Sequence, residues 1–432
     1  MLYNHLSVNE QGHLTLAGVD TVEMAEKYGT PLYLLDEMQI RTKCSTYVES
    51  MRKYFPVGST ALYAGKALCF KQMYPILKQL GMGADVVSTG EIHTALEAGF
   101  PASMLVFHGN AKTDDDLRYA LDKQVGWIVV DNPEELERLN ELAGEKRACQ
   151  KIMLRLTPGI DPHTFAAVST GKVDSKFGLV IENGQAMEVT GRALEMENVE
   201  LMGFHCHVGS QVFESQPFMD AAGVMLSFMC EVKQKYGYNA QVLNLGGGIG
   251  VRYSEDDPAE INIDKVLADL ADYITNQCWR LKIFSPAIFL EPGRSIVADA
   301  GVTLYTVQSV KRIPGYKNYV IVDGGMTDNP RYALYGAKHS ALVANKADQP
   351  ADFPCTLAGR CCESGDLLGE NLMLVEPGRG DKVAVLTTGA YNYSMASNYN
   401  RFGRPAIVML YQGKDRLVVR RETLEDLTRC DE

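Results

Sequence analysis

"WIVVDNPEELERLNELAG", residues 127–144, holds two patterns back to back. WIVVD is an apolar, β-branched run ending in an acid, as expected of a strand buried on both faces. NPEELERLNELAG opens with an Asx cap and acidic first-turn residues and continues with helical period. One buried strand feeding one amphipathic helix is half of a parallel crossover unit. Comparable short runs occur at 62–65, 85–87, 105–109, 152–156, 202–207, 242–246 and 288–292. Most of the gaps carry a helical pattern, as in TDDDLRYALDKQ (113–124). Eight such units predict a (β/α)8 TIM-type barrel, because eight parallel strands joined by crossover helices close the sheet on itself.

One gap, 157–200, is too long for a simple crossover. It contains GKVDSKFGL (171–179) and a helix-like run near 184–196, and is expected to be an insertion on the barrel rim. Beyond residue 295 the pattern changes to strand-like runs without long helices: VTLYTVQSVKRI, NYVIVDGGM, DKVAVLTT, AIVMLYQ and RLVVRRE. These predict a mainly β C-terminal domain. The early runs LTLAGVD and PLYLLD also read as strands and join it. The expected division is therefore a barrel over 34–295 and a β-domain made of 1–33 and 296–432.

The 432 residues are 46% hydrophobic, enough for a large core in two or more domains. Lysine and arginine number 42 against 54 acids, a net charge of −12 with no long block of one sign, which argues against a nucleic-acid partner. No stretch approaches the roughly 18 apolar residues of a membrane span, and MLYNHLSVNEQGHL does not read as a leader. A cytoplasmic protein is expected. The ten cysteines are scattered apart from Cys361 and Cys362, and no C-x-x-C pair suggests zinc or a redox dithiol.

In such a barrel the active site lies at the C-terminal ends of the strands. The residues ending the eight runs are unusually polar: Lys66, Asp85, His108, Asp131, Arg155, His207, the glycines of LGGGIG (245–250), then Glu291 and Arg294. Loops after the seventh and eighth strands are the usual phosphate site of this fold, and Gly246, Gly247 and Gly248 followed by EPGR (291–294) suit an anion. A glycine run alone is equally a tight turn; its place in the barrel favours the anion. Lys66 is either a surface charge or an amine in a desolvated pocket, where it becomes a nucleophile. A lysine with a phosphate cradle points to pyridoxal 5′-phosphate. His205-Cys-His207 would also suit metal ligation, but the later strand ends supply glycines in place of further ligands, so no metal is expected.

The chain resembles the fold-type III pyridoxal-phosphate decarboxylases, and among them the diaminopimelate decarboxylases. The resemblance rests on YAGKA, HGNAKT, DSKFG, HCHVGSQ, NLGGGIG, EPGRSIVADAG, VDGGMTDNPRYALY, CESGD and GAYNYSMASNYN, which span nearly the whole chain. It implies a homodimer with shared active sites. It implies that Lys66 carries the cofactor and later acts near the reacting carbon, with His207 against the cofactor ring. Glu291 would keep the ring nitrogen protonated as an electron sink, which favours decarboxylation over racemisation. A structural ion pair with Arg294 is the plainer reading of that residue. Cys362 would donate a proton to the reacting carbon, a task within reach of a thiol near neutral pH. The cofactor set is completed by Gly246, Gly247, Gly248, Gly293, Arg294 and Tyr391.

For the small amino-acid substrate, Arg294, Arg331 and Tyr335 match the ligands of a distal carboxylate, Glu363 matches that of a distal ammonium, and Tyr391 lies with them. An arginine fork binds a carboxylate and repels a simple diamine. The implied reaction is decarboxylation of meso-2,6-diaminopimelate to L-lysine. The alternatives are ornithine, arginine, lysine or carboxynorspermidine as substrate, or a non-catalytic regulatory homologue. NPRYALY, AGRCCES and the valine of HCHV depart from the family's commoner forms; Pro330 and Arg360 bear on the distal pocket, and no proposed catalytic group is lost.

Overall fold

The computed structural model describes residues 3–160 and 176–432. The chain divides into two compact units, residues 43–250 with 260–293, and residues 1–42, 251–259 and 294–432. Among the described residues, no helix is long and apolar enough to cross a membrane.

The first unit is a closed parallel barrel. Its strands are β1 (Thr60–Ala64), β2 (Gly83–Val86), β3 (Leu105–Phe107), β4 (Trp127–Val130), β5 (Gln150–Thr157), β6 (Val199–His205), β7 (Val242–Asn244) and β8 (Ala287–Leu290). Each pairs in parallel with the next, and β8 returns to β1 through Phe289↔Thr60 and Leu290↔Ala61. The stretch quoted first is β4 and the helix Pro133–Glu145. That helix starts where it does because the Asn132 side chain accepts the Glu135 N–H and Pro133 fills the first turn, where its missing N–H costs nothing. Likewise Thr113 and Asp116 form a capping box at the head of Asp114–Asp122. Leu62, Val106, Val129, Met153, Val242 and Phe289 pack as one apolar cluster of the barrel. Most of the ladders stop before the polar residues that end the apolar runs, which frees those residues for the barrel mouth.

Two details place the site. A Cβ on Gly203 would lie 1.8 Å from the Val242 carbonyl oxygen, and the β5–β6 register shifts between Leu201 and Gly203. Only glycine allows that approach, two residues before His205. The run near 184–196, expected within a rim insertion, is instead the crossover helix Gln185–Glu195 leading into β6, and Leu179–Val180 adds a short parallel strand to β5. Residues 161–175, including the start of GKVDSKFGL, lie outside the described residues.

The second unit is mainly β. Its long strand Gly301–Ile313 pairs antiparallel with Leu32–Asp36, Lys382–Leu386 and Lys317–Val322. Alternate residues of this strand serve opposite faces. Val302 and Leu304 pack with Leu32, Leu34 and Leu386, whereas Tyr305 and Val307 pack with Val320, Val383 and Leu357. The strands Ala341–Val343, Phe353–Ala358 and Leu367–Leu374 and the helix Thr21–Tyr28 had no counterpart in the sequence reading. The helix is capped by Asp20, whose side chain accepts from Val22 and Glu23.

Candidate active site

The barrel strands deliver a compact set of ionisable groups at their C-terminal ends. Lys66 lies in the turn Gly65–Ala67 after β1, its side chain 41% exposed, with Nζ 4.0 Å from Asp85 Oδ2 at the end of β2. His108, just past β3, puts Nε2 3.7 Å from Asp85 Oδ1 and 2.8 Å from Glu291 Oε1. Asp131, just past β4, has Oδ1 3.8 Å from Nε of Arg155 on β5. Glu291 follows β8 and is buried; it accepts hydrogen bonds from His205 Nε2 (3.2 Å) and Asn244 Nδ2 (2.6 Å).

Burial would raise the pKa of Glu291, but His108 and His205 outweigh it and hold the carboxyl well below the usual carboxylate range. Burial pushes His205 down to about 4 despite the pull of Glu291, so at neutral pH its imidazole is neutral. The carboxylate fixes the proton on Nε2, and Nδ1 is buried without a hydrogen-bond partner. Asp85 moves the other way: burial raises its pKa and Glu291 adds like charge, against His108, Lys66 and Arg155.

The two histidines of H-x-H do not act as a pair. His205 ends β6 on Glu291, while His207, past the strand, accepts the Gly247 N–H on Nδ1 (3.3 Å) and is kept neutral first by burial and then by the charges of Lys66 and Arg155. Metal-ligand types do meet here, in His108, His205 and Glu291, whose ligand atoms lie within 4.8 Å. The glycine turn is built differently from a simple cradle of three free N–H groups. Gly246 donates to Asn244 Oδ1 (2.9 Å) and Gly247 to His207, which leaves Gly248, at φ +126°, as the one of these three glycines whose N–H has no partner among the described residues.

The β unit has its own cationic cluster. Arg294 and Arg331 are both buried, and their guanidinium carbons lie 4.6 and 5.7 Å from the Tyr391 ring centre; Arg331 also lies over Tyr335 at 4.5 Å. Tyr391 has φ +59°, a backbone conformation rarely adopted by a bulky residue. Arg294 donates to the Tyr253 hydroxyl. Arg331 has no carboxylate partner among the described residues and its Nε is buried without a hydrogen bond; burial and the charge of Arg294 push its pKa down. A guanidinium in such surroundings can receive an anion.

In the same unit the cysteine pair splits. Cys361 is buried, and burial raises its thiol to about 11; Cys362 is exposed. Cys362, Glu363, Ser364 and Gly365 form an exposed loop. Asp366 pins its base by accepting N–H groups from Cys361 (2.7 Å) and from Met326 (2.6 Å), and Cys362 N–H bonds Asn400 Oδ1 at 2.8 Å.

Residues 37–298 match the family model described as the pyridoxal-binding domain of pyridoxal-dependent decarboxylases. The diaminopimelate decarboxylase of Bacillus subtilis is 44% identical over 425 residues, covering 98% of this chain and 96% of that protein. The chain belongs to the diaminopimelate decarboxylase family of pyridoxal-dependent decarboxylases. The crystal structure of the diaminopimelate decarboxylase from M. jannaschii in co-complex with L-lysine matches with a TM-score of 0.90 at 35% identity, covering 99% of this chain and 98% of that one. A lysine/ornithine decarboxylase from Vibrio vulnificus, complexed with putrescine, matches less well, with a TM-score of 0.74 at 26% identity over 90% of this chain and 97% of that one.

Membership in this family brings pyridoxal phosphate as cofactor, and the barrel residues fit it. Gly248 has an uncommitted N–H, Glu291 is an ionised buried carboxylate, and Lys66 is an amine at the mouth beside a buried acid. Three groups that the sequence did not single out are Asn244, Tyr253 and Asp366. Asn244 and Asp366 lay inside quoted motifs, NLGGGIG and CESGD, but nothing local marks an amide or a carboxylate as a brace. Tyr253 sits in no motif.

Proposed function

We propose that this decarboxylase acts on meso-2,6-diaminopimelate and releases carbon dioxide and L-lysine. The observation that carries the choice of substrate is Arg331, a buried guanidinium with no carboxylate partner among the described residues, beside Arg294. A substrate with a carboxylate at its far end supplies the missing anion, whereas a simple diamine precursor such as ornithine would bring a second cation into that environment.

The residue roles follow from this reading. Pyridoxal phosphate supplies an aldehyde for an amine and a ring able to take up the electron pair left when carbon dioxide departs. Lys66 would hold the cofactor through its amine and later act near the reacting carbon. Asp85 lies against Lys66 and balances its charge. Glu291 would keep a proton at the ring nitrogen. Two of its donors occupy Oε1 or Oε2 in good hydrogen-bond geometry, and a carboxylate has about four lone-pair positions, so it has capacity for another donor. His207 would lie against the ring face, and the Gly248 N–H, with Gly246, Gly247, Gly293, Arg294 and Tyr391, would hold the phosphate end. Arg331, Tyr335, Arg294, Tyr391 and Glu363 hold the substrate's distal amino-acid group. Cys362 would supply a proton to the carbon that lost its carboxylate. Cys362 and Glu363 stand on an exposed loop, which suits a cytoplasmic homodimer in which that loop serves the partner's barrel.

The test is carbon dioxide release from meso-diaminopimelate, ornithine, arginine, lysine and carboxynorspermidine at equal concentrations. Diaminopimelate is expected to exceed the others by about 100-fold or more in kcat/KM, the factor expected of a paired carboxylate against an unpaired buried cation. Comparable turnover of ornithine would refute the substrate assignment.

A further inference from the structure

Asn244 is the last residue of β7 and is fully buried. Its side chain spans two elements: Oδ1 accepts the Gly246 N–H at 2.9 Å, and Nδ2 donates to Glu291 Oε1 at 2.6 Å. The Glu291 N–H in turn donates to the Gly246 carbonyl at 2.8 Å. The amide orientation is therefore fixed by its partners, since a flipped amide would set N–H against N–H and carbonyl against carboxylate. No other side chain of this size both accepts at the first position and donates at the second. An aspartate keeps the bond to Gly246 but brings a second carboxylate against Glu291, and a serine is too short to reach both.

We infer that Asn244 is a positioning residue that locks the Glu291 carboxylate to the glycine turn, so that the ring end and the phosphate end of the cofactor site are held at one fixed separation. The inference rests on the reading of Glu291 and the glycine turn as the two ends of that site. The lock is rigid because its members are buried and short-range: Gly246 is at φ +70°, where a Cβ would fall 2.6 Å from His207 Nδ1, so the turn has no room to re-form around a displaced carboxylate.

Substitution by aspartate gives the arrangement a pH signature. At high pH the introduced carboxylate and Glu291 repel; at low pH the pair holds one proton between them, and the protonated member again donates. The other titratable groups around that carboxylate are His108 beyond β3, His205, Cys206 and His207 from β6 and its extension, Asp85 of β2 and Arg155 of β5, with Lys66 facing Asp85 and His207. They are common to both proteins, so the ratio of variant to wild type isolates the new pair.

The experiment strips the full-length protein of cofactor and titrates it with pyridoxal phosphate from pH 6 to pH 9, following the absorbance of the bound form, for wild type, Asn244→Asp and Asn244→Ser. Thermal unfolding of each stripped protein checks the fold. Asn244→Asp is expected to bind within about threefold of wild type at pH 6 and at least about tenfold more weakly at pH 9, the factor of one charge-assisted hydrogen bond. Asn244→Ser is expected to bind about tenfold more weakly at every pH, and it carries the test if the aspartate variant does not fold. Wild-type affinity across the range in either folded variant would overturn the inference. Failure of the wild type itself to bind pyridoxal phosphate would overturn the reading beneath it.

Discussion

Replacing Arg331 by glutamine separates a binding residue from a structural one, because the two roles predict opposite signs for stability. Arg331 is 7% exposed, stacks with Tyr335 and Tyr391, lacks a carboxylate partner among the described residues, and suffers from the like charge of Arg294. An arginine fork on a substrate carboxylate makes two charge-assisted hydrogen bonds, each worth about 1.5–3 kcal/mol, and glutamine retains at most one neutral bond. The loss is about 3–4 kcal/mol of transition-state binding, or roughly 10²–10³-fold in kcat/KM for diaminopimelate. In the protein without substrate the same change removes a buried charge that is uncompensated among the described residues, which relieves about 1–2 kcal/mol of desolvation and raises the melting temperature by about 1–3 °C. The assay pairs carbon dioxide release with thermal unfolding of the substrate-free protein. A variant within threefold of wild-type kcat/KM, or one that loses stability along with activity, would show that Arg331 does not bind the substrate carboxylate.

Two further predictions concern groups that brace the site. Burial raises the pKa of Glu91 to about 7, against the Val87 N–H bond and the charge of Lys66. Because the folded value lies above the unfolded one, the native protein binds this proton more tightly, and stability falls as pH rises from about 4.5 to 7 by up to about 3 kcal/mol. Glu91→Gln in the cofactor-free protein should therefore raise stability at pH 8 and leave it nearly unchanged at pH 4.5 in urea unfolding; an equal change at both values would contradict this. Asp366→Asn leaves one of two N–H groups, the half-buried one of Met326 or the buried one of Cys361, facing an amide NH2. It should cost about 1–3 kcal/mol and expose Cys361 to thiol reagents, whereas unchanged labelling would show that the brace is dispensable.

The barrel was legible because each strand is buried on both faces and its helices carry their own start signals, as Asn132 and Thr113 do. The β unit was only partly legible. Pro354 interrupts one missed strand, and Gly369, Glu370 and Asn371 interrupt another; the first takes its place by pairing with Lys317–Val322 far away in sequence, and the second pairs onto the first, so neither is set by local pattern alone. The site divides along the same line. A polar residue at the end of a buried strand is visible in a sequence, and Lys66, Asp85, His108 and Glu291 were found that way. Their partnerships were not visible: the brace on Glu291 comes from Asn244, 47 residues earlier, and Asp366 fits only because Gly325 and Gly359 lack the Cβ that would fall 2.3 Å from its oxygens.

The proposed chemistry requires that the amine of Lys66 bond the cofactor. Reducing the loaded protein with borohydride, digesting it and locating the added pyridoxyl mass tests this directly. The mass is expected on the peptide that contains Lys66. The competing amine is Lys112, buried and bonded to the Gly109 and Val129 carbonyls and to Glu135. A label on Lys112 or any lysine other than Lys66, or no label in a protein that still releases carbon dioxide, would contradict the account.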